Sequence, residues 1–122
     1  MAALTLSSSS INGTDVVNPA GKDIGNIKDL MIHLEDGHIA YVVLSHGGFL
    51  GMGDKYFAIP WGAFTIDTVN KKFVLKVPQD KLDSAPGFDK DNWPDSASHE
   101  YMTKVYSHFG YRPFWERESS LL

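Results

Sequence analysis

The strongest constraint on the fold comes from one short stretch, Ile39–Leu44, in which every residue is apolar. Successive side chains of a β-strand point to opposite faces, so this stretch would present apolar groups on both of its faces. A strand with one face in water alternates apolar and polar residues instead. We therefore predict a central strand covered on both sides, on one side by a barrel interior and on the other by a helix or a partner subunit.

The surrounding sequence indicates a mainly β domain over residues 11–78, because short apolar runs alternate there with Gly, Asp, Asn and Pro turns. Gly25, inside the second run, suggests a bulge or a sharp bend. The predicted strands are Thr14–Asn18, Asp23–Leu34, His38–His46, Lys55–Pro60, Thr65–Asp67 and Lys72–Val77.

The flanking segments have a different character. Residues 1–10 are Ser-rich and are predicted to be a flexible tail without the features of a signal peptide. Residues 79–122 form a C-terminal extension, in which an apolar stripe at i, i+4 spacing predicts a helix over about 96–109. Gly110 is a suitable residue to end that helix. An extended aromatic tail follows, and the extension is expected to pack on the barrel or on a partner subunit.

Three segments together resemble the PRC-barrel family: Gly21–Leu30, Gly37–Leu44 and Ala58–Trp61. The resemblance covers about half of the chain, which is similar to the standalone bacterial members. It implies a small, strongly bent antiparallel β-barrel. It also implies a docking role, since characterised members are docking modules, and it brings no shared catalytic residues. The segments around Ala85–Asp89 and Gly110–Trp115 are similar to an extension found on some members.

The composition narrows the function classes. The chain has no cysteine, which excludes disulfides, thiolate metal sites and a cysteine nucleophile. Its 11 basic and 15 acidic residues give a net charge of −4 with no basic face, so nucleic-acid binding is not expected. No apolar run approaches the roughly 20 residues of a membrane span. We expect a cytoplasmic protein.

The chemical motifs point away from catalysis. The glycine-rich loop at residues 47–54 has Asp54 where a phosphate-binding loop requires lysine, and no nucleophile elbow is present. We therefore expect a protein that is not an enzyme and that needs no cofactor. His33 and His38 flank a turn and could face each other across a hairpin. A metal-binding or small-ligand sensor built on these two histidines is the alternative function.

The leading hypothesis is a binding or assembly module that self-associates as a homodimer, with an unidentified protein partner as a further possibility. Aromatic residues and arginine, the types enriched at interaction hot spots, crowd into the C-terminal tail. Apolar residues of the glycine-rich loop would also mark an interface if exposed. The interface candidates are Phe49, Leu50, Met52, Tyr111, Arg112, Phe114 and Trp115.

Overall fold

A computed structural model describes residues 5–47, 54–88, 93–94, 99–113 and 115. Six strands form one curled, half-barrel sheet in the order β4-β3-β2-β1-β6-β5. The helices are α1 (Ser8–Ile11), α2 (Gln79–Asp83) and α3 (His99–Phe109), and the strands are β1 (Asp15–Val17), β2 (Asp23–Ile32), β3 (Ile39–Gly47), β4 (Asp54–Ile59), β5 (Phe64–Asp67) and β6 (Lys72–Leu75). The prediction of a mainly β, PRC-type architecture with a C-terminal helix is confirmed.

The strand pairing follows the chain closely, with one exception. Strands β1 to β4 form an antiparallel meander, and β5 and β6 form an antiparallel hairpin. The exception is β6, which returns beside β1 and pairs with it in parallel, at Val16 with Phe73 and Val17 with Val74. A single short 3₁₀ turn, Trp61–Ala63, lets the chain pass from the far edge of the sheet into β5.

The predicted central strand is β3, and it is covered on both faces within one chain. Tyr41, Val42, Val43 and Leu44 have no measurable solvent exposure. Part of the cover is α3, because the ring of its Tyr101 lies 5.9 Å from the ring of Tyr41 in an edge-to-face contact. The apolar stripe predicted for this helix therefore packs on its own barrel, and β3 does not require a partner subunit to be buried.

The strand pairing has three register shifts, and at two of them a side chain forms a hydrogen bond with the carbonyl group of the extra residue. In β2, Ile24 has no register partner in β1, next to the Gly25 that predicted a bulge. In β3, Ala40 is the extra residue opposite the Met31–Ile32 step of β2. His46 Nδ1 lies 2.6 Å from the Ile24 carbonyl oxygen, and the Tyr106 hydroxyl donates to the Ala40 carbonyl oxygen at 2.7 Å. Side chains thus hydrogen-bond the carbonyls at the points where the ladder is interrupted.

Helix α3 ends as predicted. Gly110 has φ +76°, the left-handed conformation that glycine adopts without steric cost. The Gly110 N–H donates to the Ser107 carbonyl and the Tyr111 N–H donates to the Tyr106 carbonyl, which together form a Schellman cap. The helix begins at His99 in the structure, and residues 96–98 of the predicted span lie outside the described part of the chain.

The N-terminal segment and the barrel are joined by α1. Residues 8–10, predicted as part of the flexible tail, belong to this one-turn helix. The Ser7 side chain accepts a hydrogen bond from the Ser10 N–H at 3.1 Å, and Ile11 at the helix end is buried in the core. Within the described residues, no helix has the length and apolar character needed to cross a bilayer.

Candidate interaction surface

The β2–β3 hairpin brings the two predicted histidines together through a carboxylate. The turn is closed by backbone hydrogen bonds between His33 and His38 and between Gly37 and His33, both at 2.8 Å. Asp36 Oδ1 accepts from the His38 N–H at 3.0 Å and lies 3.0 Å from His33 Nδ1. Asp36 Oδ2 lies 3.1 Å from His38 Nδ1. The two imidazoles therefore face one carboxylate from opposite sides of the turn.

This arrangement is a hydrogen-bonded turn with a structural role. The described residues include no group of three or more His, Asp or Glu side chains placed to hold a metal ion. Both Nδ1 atoms lie within 3.1 Å of the Asp36 carboxylate, which is placed between the two imidazoles. A metal-binding or small-ligand sensor at His33 and His38 stays a prediction.

The carboxyl group of Asp36 carries the clearest electrostatic signature in this region. The backbone N–H of His38 is the main reason that its pKa falls to about 2, and the imidazoles of His33 and His38 lower the pKa further against the opposing effect of desolvation. A carboxyl pKa lowered by folding means that the ionised form stabilises the folded state. The stabilisation is present above the ordinary carboxyl pKa of about 4 and is lost as the pH falls towards 2.

We expect the substitution Asp36→Asn to destabilise the protein more at about pH 5 than at about pH 2. The reason is that wild-type Asp36 is ionised and hydrogen-bonded at the higher pH but becomes protonated at the lower one. Urea unfolding of both proteins at the two pH values measures the difference. Asp15→Asn, at the exposed start of β1, is the control. A wild-type advantage over Asp36→Asn that is equal at both pH values would contradict the assignment.

The C-terminal segment returns to the same end of the molecule. The ring of His99 at the start of α3 lies 5.9 Å from that of His33 and stacks on Trp115 at 4.6 Å with an interplanar angle of 5°. Trp115 also contacts Tyr106, which lies about two helical turns after His99. The chain after Gly110 therefore doubles back along α3, and Trp115 is half-buried against its own helix.

The other predicted interface residues have mixed outcomes. Tyr111 is half-buried against the core and Arg112 is exposed. The remaining four candidates, Phe49, Leu50, Met52 and Phe114, lie outside the described residues. The part that Tyr111, Arg112 and Trp115 play in an interface stays a prediction.

Two exposed apolar side chains at this hairpin escaped the sequence analysis. Leu34, in the turn, is 92% exposed, and Ile32, the last residue of β2, is 47% exposed. A signal was present, because Leu34 directly precedes the Glu35-Asp36-Gly37 turn and an apolar residue there has no core to enter. We call Ile32 and Leu34 the hairpin-end surface.

The edge of the sheet at β4 is closed by the chain itself. Tyr56 and Phe88 exchange two backbone hydrogen bonds of 2.9 Å, so the segment after α2 acts as a short additional strand. The rings of Tyr56, Phe88 and Trp93 pack on one another with centroid distances of 5.2 to 6.0 Å. At Tyr56 the edge strand is therefore already paired within the chain and is not open to another strand at that position.

Comparison with known proteins agrees with the fold. No curated protein matches the sequence. The PRC-barrel domain family matches residues 5–82, which is more than half of the chain. The match begins before α1 and ends at the buried Leu82 of α2, so it includes all six strands and both flanking short helices. This chain is therefore a member of the PRC-barrel family.

Proposed function

We propose that this protein is a non-catalytic assembly module that forms a homodimer through the hairpin-end surface. The observation that carries the proposal is the exposure of Leu34, an apolar side chain held in water at the tip of a well-ordered turn. Apolar groups clustered on a surface mark interaction sites, whereas scattered single ones do not. Ile32 lies two residues away, and its side chain is also exposed, so the two apolar groups adjoin on the surface.

Several features support self-association at this place. Membership of a family with docking modules favours a binding role. A two-fold dimer needs one self-complementary patch, and a hairpin tip can lie across the axis against its own copy. Tyr111 and Arg112 follow the C-terminal end of α3, at the other end of the helix from His99, and residues of these types would add a separate contact to the interface. A cytoplasmic location belongs to the proposal, since a chain without cysteine is compatible with a reducing compartment.

The perturbed titratable groups support a non-catalytic role. The pKa of Asp36 falls because of its turn, and the pKa of Asp67 falls because the Asn70 N–H and side chain donate to it. Burial, with a further contribution from neighbouring Tyr41, raises the pKa of Tyr101 to about 12. Each shift has a structural cause, whereas an active site gathers perturbed groups around one pocket.

We expect the double substitution Ile32→Ser/Leu34→Ser to weaken dimerisation at least about tenfold, because each copy loses two buried apolar side chains. Light scattering after size exclusion, over a range of micromolar concentrations, measures the dimer fraction. Val69→Ser is the control, because Val69 is also an apolar turn residue, 86% exposed, in the β5–β6 hairpin instead of the β2–β3 hairpin.

Two outcomes would end the proposal. One is a wild-type protein that is monomeric throughout that range. The other is an equal loss of dimer in Val69→Ser, since that result would show a general effect of surface apolarity. The dimer fraction of Arg112→Ala, measured in the same way, gives the contribution of the C-terminal segment to dimerisation separately from that of the turn.

A further inference from the structure

An open cavity of about 310 Å³ lies between α1 and the β5–β6 hairpin. None of its lining residues belongs to the hairpin-end surface. Its apolar wall is formed by Leu6, Ile11, Ile66 and Phe73. Leu6 and Ile66 are partly exposed there, although Ile11 and Phe73 are buried in the core. The exposed apolar surface of the cavity therefore continues directly into the core.

The polar groups around this cavity are largely engaged with the chain itself. The Asp67 carboxylate accepts from the N–H groups of Val69 and Asn70 and from the Asn70 side chain at 2.8 to 3.1 Å. The Thr14 hydroxyl donates to the Ser10 carbonyl. These hydrogen bonds fix the β5–β6 turn and the end of α1. They also occupy the Asp67 and Thr14 side chains, which are therefore not the groups that would bind a ligand.

Two cations stand at the rim of the cavity. Lys71 and Lys72 both line it. Lys71 has φ +56°, an uncommon conformation for a residue with a side chain, which places it at the tip of the β5–β6 turn. Lys72 is near enough to Asp67 to lower the pKa of that carboxyl. Within the described parts of the chain, no carboxylate lies within ion-pair distance of the Lys71 ammonium group.

We propose that this cavity binds a single-chain amphiphile with a carboxylate head, taken from solution as a free monomer. The apolar wall would receive the hydrocarbon chain, and Lys71 with Lys72 would pair with the carboxylate. Charge complementarity favours an anion, because two lysines and a single carboxylate, Asp67, line the cavity, and that carboxylate is already occupied by the hydrogen bonds of its own turn. The volume is at the lower end of the roughly 300–1,000 Å³ of ligand pockets, which favours a medium-length chain.

The test compares three probes of matched length, decanoate, decanol and decylamine, by isothermal titration calorimetry below their micelle-forming concentrations. We expect decanoate to bind most tightly, decanol less tightly and decylamine least, because only the head group differs between them. This comparison uses the wild-type protein and does not depend on any variant folding. Absence of decanoate binding, or equal binding of all three probes, would overturn the proposal.

Variants then assign the binding to this cavity. We expect Lys71→Gln/Lys72→Gln to weaken decanoate binding about fivefold and to leave decanol binding unchanged, since two partly exposed charge contacts are lost. Ile66→Asn should weaken both probes, whereas Lys104→Gln on α3 should weaken neither. Decanoate binding that survives both cavity variants would place the ligand elsewhere. Dimer formation is a separate readout, because Ile32 and Leu34 take no part in this cavity.

Discussion

Replacing Gly25 with alanine is expected to cost at least about 4 kcal/mol of the free energy of unfolding, a loss large enough to reduce the yield of folded protein. A Cβ atom at this position would lie 2.0 Å from the backbone carbonyl oxygen of Ser45 on β3. That oxygen belongs to the central strand and cannot move without separating β2 from β3. The φ of +157° adds a backbone conformation that side-chain-bearing residues rarely adopt.

Gly21→Ala is the matched control for this substitution. Gly21 also has a positive φ, +88°, but a Cβ atom there would meet no other atom within 4 Å. Its cost should be the conformational strain alone, about 1–2 kcal/mol. Urea unfolding of the two variants and wild type measures both losses. Similar losses for Gly21→Ala and Gly25→Ala would show that the close approach of the two strands does not determine the stability.

The second large effect is expected at Tyr106, the residue that joins α3 to the sheet. Its hydroxyl donates to the carbonyl of the bulged Ala40, and its ring is buried. Tyr106→Phe should cost about 1–3 kcal/mol, because a buried acceptor loses its donor. Tyr106→Ala should cost about 3–5 kcal/mol, because a cavity replaces the ring as well. Thermal and urea unfolding of both variants separates the hydrogen bond from the packing.

Tyr111→Phe is the control for the loss of a hydroxyl, because Tyr111 is half-buried just beyond the helix end. It should change stability by no more than about 0.5 kcal/mol. The concentration dependence of the Tyr106 variants is also informative. If α3 covered the β3 strand of a second copy, their destabilisation would depend on protein concentration, and packing of α3 on its own sheet would be contradicted.

Much of the barrel could be predicted from local sequence patterns, because each pattern is compatible with only a few backbone conformations or degrees of burial. The apolar stretch at 39–44 requires cover on both faces, whatever supplies it. Gly25 inside a strand indicates an irregular ladder, and a register shift occurs beside it. Gly110 followed by Pro113 ends a helix by conformation alone. The family resemblance rested on the same residues, which is why it also held.

The candidate sites were much harder to predict, since they depend on which segments meet in space. The two histidines at 33 and 38 suggested a metal site, but the orientation of their Nδ1 atoms towards Asp36 is a property of the folded turn. The roles of His46 and Tyr106 at bulged carbonyls had no signal in the sequence, because the bulges appear only once the strands pair. The cavity beneath α1 joins residues about 60 positions apart and had no signal either.

The sequence by itself determined that a small β domain would need cover on both faces of its third strand, because six consecutive apolar side chains cannot be left in water. Only the tertiary structure decided what covers that strand. Helix α3 of the same chain does so, since the Schellman cap, the Tyr106 hydrogen bond and the stacked Trp115 hold it there. The middle of the sheet is therefore covered within one chain, while Ile32 and Leu34 at the β2–β3 hairpin stay exposed.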